Sequence, residues 1–181
     1  MERDPAPGQL HLVEHLVNSV EVADGAHDQI ATPEGLAAWL ADAGYSAHPT
    51  EADVERMLQV REGLRSVLEA NSGEPVDPQA VASLNRALAD SSVQLHMADD
   101  GSPGLVADGG IERFVAELAT AMLAATADGT WARLKICRDD TCRWAFYDRS
   151  KNRSGAWCSM DDCGSKAKMR AYRQRRADAA G

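Results

Sequence analysis

The chain has 181 residues, 26% of them charged and 44% hydrophobic, a composition that suits one soluble domain with a small appendage. No window holds the roughly 18 unbroken apolar residues of a membrane helix. The start, Met1-Glu2-Arg3-Asp4-Pro5, lacks the basic and apolar pattern of a secretory leader, so the expectation is a cytoplasmic protein without a membrane partner. The net charge of −9 conceals an asymmetry: residues 1–130 hold 6 Lys and Arg against 22 Asp and Glu, a balance of −16, whereas 131–181 hold 13 against 6, a balance of +7.

In chain order, Leu10, Leu12, Val13, Leu16, Val17 and Val20 recur with a helical period, which predicts a helix over roughly 9–22. Residues 23–31 read as a polar loop. Thr32-Pro33 supplies an N-cap followed by proline at the first helical position. Leu36, Trp39 and Leu40 form the apolar face of that helix, and Gly44 stops it. Thr50-Glu51-Ala52-Asp53 resembles a capping box with Asp in the usual Glu place. It opens the longest helix, about 51–71, with Val54, Met57, Leu58, Leu64, Val67 and Leu68 at helical spacing.

Asp77-Pro78 caps a further helix to about Ala89, with Val81, Leu84 and Leu88 inward. Val93 to Met97 alternates with period two, as a half-buried strand does. A turn at Asp100-Gly101 and the run Gly104-Leu105-Val106 make it a hairpin. A helix over about 110–127 follows, with Ile111, Phe114, Val115, Leu118 and Leu123 on its apolar face.

From Trp131 the pattern changes to short segments: Leu134-Lys135-Ile136, Trp144-Ala145-Phe146-Tyr147, a basic turn over 149–153, and a basic helix from Ser165 to about Ala177. Six of the nine aromatic residues and all four cysteines lie in this last stretch. The expected fold is therefore mainly α with a small β-hairpin. An α-rich domain over 1–130 precedes a small α+β module over 131–181, built as a treble-clef-like hairpin plus helix.

The cysteines are spaced Cys137-x4-Cys142 and, after fifteen intervening residues, Cys158-x4-Cys163. Two close pairs joined by a short hairpin supply the four sulfurs of a tetrahedral zinc site. Two disulfides are the competing reading, disfavoured without a secretion signal. A reactive cysteine would need a partner base, and all five histidines (His11, His15, His27, His48, His96) lie outside this segment. The pattern leaves no open coordination position, so Zn2+ is expected to hold the segment together rather than do chemistry. A stretch of about 50 residues lacks a sufficient core of its own, and metal binding can supply the missing folding free energy.

In the basic helix, Lys166, Arg170 and Arg173 fall on one face at i, i+4 and i+7, with Lys168 on a further side. Met169 and Tyr172 form a neighbouring stripe expected to pack onto the zinc module. Together with Arg149, Lys151 and Arg153 in the nearby turn, this is a phosphate-reading surface that points to DNA. The bland alternative is a solvated charged face, or one docked on the acidic body. Trp144, Phe146 and Trp157 read as module core ahead of base stacking.

The motifs Cys137-x4-Cys142, Phe146-Tyr147-Asp148-Arg149-Ser150, Trp157-Cys158-Ser159-Met160-x2-Cys163-Gly164 and Lys166-Ala167-Lys168 resemble the CGNR zinc finger. The preceding region resembles the ABATE domain of bacterial stress-induced transcription regulators, through Val17-Asn18-Ser19, Thr32-Pro33-x2-Leu36-x2-Trp39-Leu40, Leu58-x2-Arg61-Glu62-x-Leu64-Arg65 and Leu84-Asn85. The resemblance implies a DNA-binding finger attached to a helical domain that senses a small ligand; a homodimer is a separate expectation. The family's Cys-Gly-Asn-Arg is here Cys163-Gly164-Ser165-Lys166. Serine can replace asparagine as a helix cap, but lysine cannot reproduce a bidentate arginine contact.

For the ligand, the candidates are His15, Asn18, Trp39, Arg61 and Arg65, a set suited to an anionic or aromatic effector. The alternative is that the two arginines pair with helix acids such as Glu62 and Glu69, and that His15 is a satisfied interior residue. His11 and His15 at i, i+4 lack a third metal ligand. The resulting expectation is a bacterial transcription regulator rather than an enzyme. A zinc-stapled protein- or RNA-interaction module is the alternative.

Overall fold

A computed structural model describes residues 4–21 and 27–178. Helix accounts for 55% of it, so the mainly α expectation holds. A short 3-10 turn, Gly8–Leu10, runs into α1 (His11–Val17). Then come β1 (Val20–Glu21) and β2 (His27–Asp28), α2 (Pro33–Asp42), α3 (Glu51–Asn71) and α4 (Pro78–Ala89). The hairpin of β3 (Gln94–Met97) and β4 (Pro103–Val106) leads to α5 (Gly110–Ala127). The C-terminal part contains β5 (Leu134–Ile136), β6 (Ala145–Tyr147) and α6 (Ser165–Asp178). Each of the three sheets is a two-stranded antiparallel ladder, β1 with β2, β3 with β4 and β5 with β6.

Local chemistry sets the helix starts. Thr32 accepts a hydrogen bond from the Gly35 amide with Pro33 at the first position of α2. Thr50 and Asp53 complete a reciprocal capping box at α3, and Asp77 accepts from the Gln79 amide at α4. Each cap satisfies one of the donors a helix start leaves open. α3 is the central element. Its Met57, Leu64 and Leu68 are fully buried, and it packs against α1, α2, α4 and β5. Against α4 the approach is so close that a Cβ on Gly63 would lie 2.5 Å from the Leu84 Cβ.

One continuous core runs from Ala6 through Leu16, Leu36, Met57, Leu64 and Phe114 to Leu134, Ile136 and Ala145. The β5–β6 hairpin is thus part of the main core, not a separate body hung from it. A smaller cluster of Cys137, Phe146 and Cys163, with Cys142, Trp157 and Cys158 against it, lies beyond.

Several elements differ from expectation. The first helix ends at Val17, and Val20 sits in β1 instead. The helix stops because Asn18 turns its side chain to the backbone of Ala145, and the Val17 carbonyl is taken by Arg65. Of the expected loop 23–31, residues 27–28 form β2, and residues 23–26 lie outside the described residues. The β3–β4 hairpin is not half-buried: Leu95 is 73% and Met97 57% exposed, because only β4 meets α5. Leu123 points outward from α5 rather than into the core.

Candidate metal centre

The centre is built at the open end of the β5–β6 hairpin, where Ile136 pairs with Ala145. Cys137 follows β5 directly and donates its amide to the Trp144 carbonyl at 2.9 Å. The chain then turns through Asp139, whose carbonyl accepts from the amides of Cys142 (2.8 Å) and Arg143 (3.1 Å). The Asp139 carboxylate takes the Thr141 amide and hydroxyl, at 3.1 and 2.8 Å. The second pair is set by Ser159, whose hydroxyl accepts from the Asp162 amide and whose carbonyl accepts from Gly164 at 2.9 Å. That wide turn, Met160–Gly164, runs straight into α6. A Cβ at Gly164 would come within 3.0 Å of the Met160 sulfur and 3.3 Å of the Trp157 ring, so the residue after Cys163 has little room for a side chain.

The four Sγ atoms lie within 4.8 Å of one another, the only such group of metal-ligating side chains among the described residues. Cys142 and Cys158 are 3.6 Å apart, and Cys158 and Cys163 3.8 Å. A tetrahedron with Zn–S bonds of ~2.3 Å has S···S edges of ~3.8 Å, whereas a disulfide needs ~2.05 Å. The donor set, four sulfurs with two buried and two half-buried, fits Zn2+. Four thiols this close cannot all ionise unaided. Hydrogen bonds from Cys142 and Cys158 pull Cys137 far down, the same contact pushes Cys158 far up, and burial followed by the charge on Cys137 pushes Cys163 up to about 12. A divalent cation removes that conflict by stabilising all four thiolates together.

Of the four acidic residues in the two cysteine turns, without an evident role in the sequence, Asp139 and Asp162 have side-chain partners. Asp139 is buried and accepts from Arg170 of α6 at 3.2 Å, tying the helix to the first turn. Asp162 pairs with Lys166 at 2.9 Å. Behind the hairpin, Lys135 and Asp148 form a buried pair at 2.8 Å. Burial would raise the Asp148 carboxyl, but Lys135, Ser150 and the Gly155 amide outweigh it and hold the group at about 2.

Besides the core contacts of Leu134, Ile136 and Ala145, the module is fastened to the helical body through its main-chain atoms. Asn18 donates to the Ala145 carbonyl at 3.0 Å and accepts from its amide at 2.8 Å. Ser72 does the same for Ile136, both at 3.0 Å. Asn71 donates to the carbonyls of Trp131 and Leu134, and Arg65 to that of Arg143. Arg138 returns the contact by donating to the Ser72 carbonyl.

The basic residues lie as follows. Among the described residues of α6 none is buried. Among the described residues Lys168 and Arg173 have no carboxylate partner, whereas Lys166 and Arg170 are held as above. Lys151 and Arg153 are exposed in the turn after β6, and Arg149 lies over the Tyr147 ring at 5.4 Å while donating to the Pro5 carbonyl. Met169 (54% exposed) and Tyr172 (51%) do not pack onto the module: they stay in solvent on a helix that buries none of its described residues. Phe146 is buried in the module and Trp157 packs beside the cysteines, as core residues. Ser165 does not cap α6; its hydroxyl donates to the Met160 carbonyl, and Ser159 caps the turn instead.

The five ligand candidates do not converge. His15 is stacked on Trp39 at 4.6 Å between ring centroids, and the buried Trp39 Nε1 has no hydrogen-bond partner among the described residues. Asn18 is committed to Ala145. Arg61 is buried and makes a two-pronged contact with Asp28 at 2.7 and 2.8 Å, with Glu62 and Ser19 completing its shell. Arg65 serves Glu62 and two carbonyls. His15 and Asn18 instead border an open cleft of about 650 Å3 between α1, the end of α2 and Trp144, which neither arginine lines. Sequence reasoning missed Asp28, Ser72 and Lys135 altogether. Only Lys135, a charge alternating with Leu134 and Ile136, carried any signal of its own.

No helix among the described residues is long and apolar enough to cross a membrane. The search of curated proteins returned no match. Residues 133–176 match the CGNR zinc finger model, and residues 10–134 match the ABATE model, described as "putative stress-induced transcription regulator". The chain belongs to the ABATE family, and it carries at its C-terminal end a CGNR zinc finger whose four cysteines come together as a Zn2+ site.

Proposed function

We propose that the chain is a cytoplasmic bacterial transcription regulator rather than an enzyme. In this reading residues 131–181 bind DNA, and the acidic part over 1–130 places that binding under the control of a small molecule. Cys137, Cys142, Cys158 and Cys163 are the zinc ligands. Four thiolates close the coordination sphere, the arrangement of a metal that orders a module rather than one that activates water.

The observation that carries the reading is α6, a 14-residue helix launched from the second cysteine pair with no buried residue. It bears Lys166, Lys168, Arg170, Arg173, Arg175 and Arg176 against Asp178 as its one acid. A helix that buries nothing gains little from folding unless its exposed charge is used. The pairs of Lys166 and Arg170 with aspartates are solvent-exposed on the basic side, and pairs of that kind are weak enough to yield to a phosphate. Arg149, Lys151 and Arg153 add a second basic patch. The body, at −16, repels phosphate, so contact falls to the tail. A homodimer is part of the proposal, with a footprint of two half-sites as its signature.

Titrating genomic DNA fragments against rising salt tests this. Four to six phosphate contacts give a log–log slope of about −4 to −5, and replacing Lys168 and Arg173 together by alanine removes about two units of it. If the double variant binds DNA as the parent does, while removal of residues 1–130 abolishes binding, the tail is not the reader, and a protein- or RNA-docking role for it takes the place of this reading.

A further inference from the structure

Away from the cysteines, a hollow of about 360 Å3 lies between α3, α4, α5 and the turn that opens the C-terminal part. Val67 of α3, Leu88 of α4, Leu118 and Met122 of α5, and Trp131 form its floor and walls, with Leu123 at the rim. Leu118 is buried, Val67, Leu88, Met122 and Trp131 are half-buried against the main core, and Leu123 is 65% exposed. Among the described residues no charged side chain lines it, and its one hydroxyl, of Thr126, donates to the Met122 carbonyl of its own helix at 2.8 Å. A charged molecule would give up its hydration there without meeting a counter-charge. The volume separates the possible occupants. An apolar space of about 150 Å3 is enough for benzene, and pockets for small molecules begin at about 300 Å3. A protein partner needs about 800 Å2 on each side, yet of the large apolar residues exposed among the described ones only Leu123 borders the hollow. The balance of −16 over residues 1–130 disfavours an anionic amphiphile as well.

We propose that this hollow binds a small, uncharged, largely apolar molecule of alkylbenzene or bicyclic aromatic size, seated between α5 and Trp131. Its position ties it to the finger. Trp131–Arg133 form a 3-10 turn that runs straight into β5, and Asn71 holds the carbonyls of both Trp131 and Leu134, at 3.0 and 2.9 Å. Cys137 follows β5 directly. A guest wedged against Trp131 therefore bears on the strand that delivers the first cysteine. That such a guest acts as an effector rests on the reading of the chain as a ligand-controlled regulator; the binding itself does not.

The test is calorimetric titration of the zinc-loaded full chain with three probes that share a phenylethyl frame: ethylbenzene (neutral), 2-phenylethylamine (cation) and 3-phenylpropionate (anion). Ethylbenzene is expected to bind with a Kd on the order of 0.1–1 mM, at least about tenfold more tightly than either charged probe. Leu123→Lys, an exposed change at the rim, should weaken ethylbenzene by at least about fivefold without altering the melting temperature. Ala119→Leu, which fills the hollow from its α5 wall, should abolish binding and leave the helical signal intact. No heat from ethylbenzene, charged probes that bind as tightly, or binding that survives Ala119→Leu overturns the proposal. So does a dimer in sedimentation that Leu123→Lys dissolves, since a second copy would then cover the hollow. Repeating the DNA titration with ethylbenzene near its solubility limit separates the two readings. A shift in DNA affinity supports both, and an unchanged affinity overturns the effector role. Absence of DNA binding by the parent sinks the regulator and leaves the probe preference standing on its own measurement.

Discussion

Replacing Asn18 by alanine should loosen the zinc finger from the body although Asn18 touches neither metal nor any cysteine. The side chain is 8% exposed and Ala145 is fully buried, and the two bonds between them are 3.0 and 2.8 Å. Truncation leaves the amide and the carbonyl of Ala145 without partners in a site closed to water. Each orphaned group costs about 1–3 kcal/mol, and partial relaxation of β6 brings the expected total to about 3 kcal/mol. Asn18→Asp keeps the acceptor for the Ala145 amide but sets a charge against the carbonyl, so it should cost at least as much. Urea denaturation of the zinc-loaded chain, followed by circular dichroism, measures the loss. The rate at which a chelating dye removes zinc should rise in parallel, since β6 positions Trp144 and through it Cys137. A loss below about 0.5 kcal/mol, the scale of an ordinary surface substitution, with unchanged zinc release would refute the clamp.

Further outcomes follow from other parts of the structure. Cys158→Ser should abolish stoichiometric zinc by elemental analysis, since it breaks a closed four-ligand site, while most of the helical signal remains because α1 to α5 carry their own core. Gly63→Ala should destabilise the protein by about 2 kcal/mol in thermal melts, because the new methyl meets the Leu84 Cβ at 2.5 Å and one of two packed helices must shift. Asp148 is held at about 2, below its ordinary 3.8, so the stability it contributes is present above pH ~4 and fades as pH falls toward 2. In urea titrations the gap between the parent and Asp148→Asn should be about 2 kcal/mol at pH 6 and narrow at pH 3. A gap that widens on acidification would contradict the assignment.

What could be read from the sequence was the chemistry that acts over a few residues. Thr50 with Asp53, Thr32 with Pro33 and Asp77 with Pro78 mark helix starts by local chemistry, and α2, α3 and α4 follow expectation because of it. The zinc centre was legible for the same reason, since each pair of cysteines needs only a tight turn. Partnerships across the chain were not legible. Asn18 meets Ala145 at a separation of 127 residues and Arg61 meets Asp28 at 33; one polar residue on an apolar helix reads alike whether it awaits a ligand or holds a strand. Periodicity misled where an amphipathic pattern has no facing surface: Leu95, Met97, Met169 and Tyr172 keep the spacing of buried residues and remain in solvent.

The attachment of the finger has an evolutionary corollary. Asn18, Ser72, Asn71 and Arg65 grip amides and carbonyls of 131–145, which every residue type except proline's missing amide provides alike. The joint thus asks little of the finger's own side chains beyond Leu134, Ile136 and Ala145, which fill the shared core. Its surface residues are free to diverge without unseating it. Lineages could therefore exchange the finger's outer surface on an unchanged body, much as interchangeable bits fit one chuck.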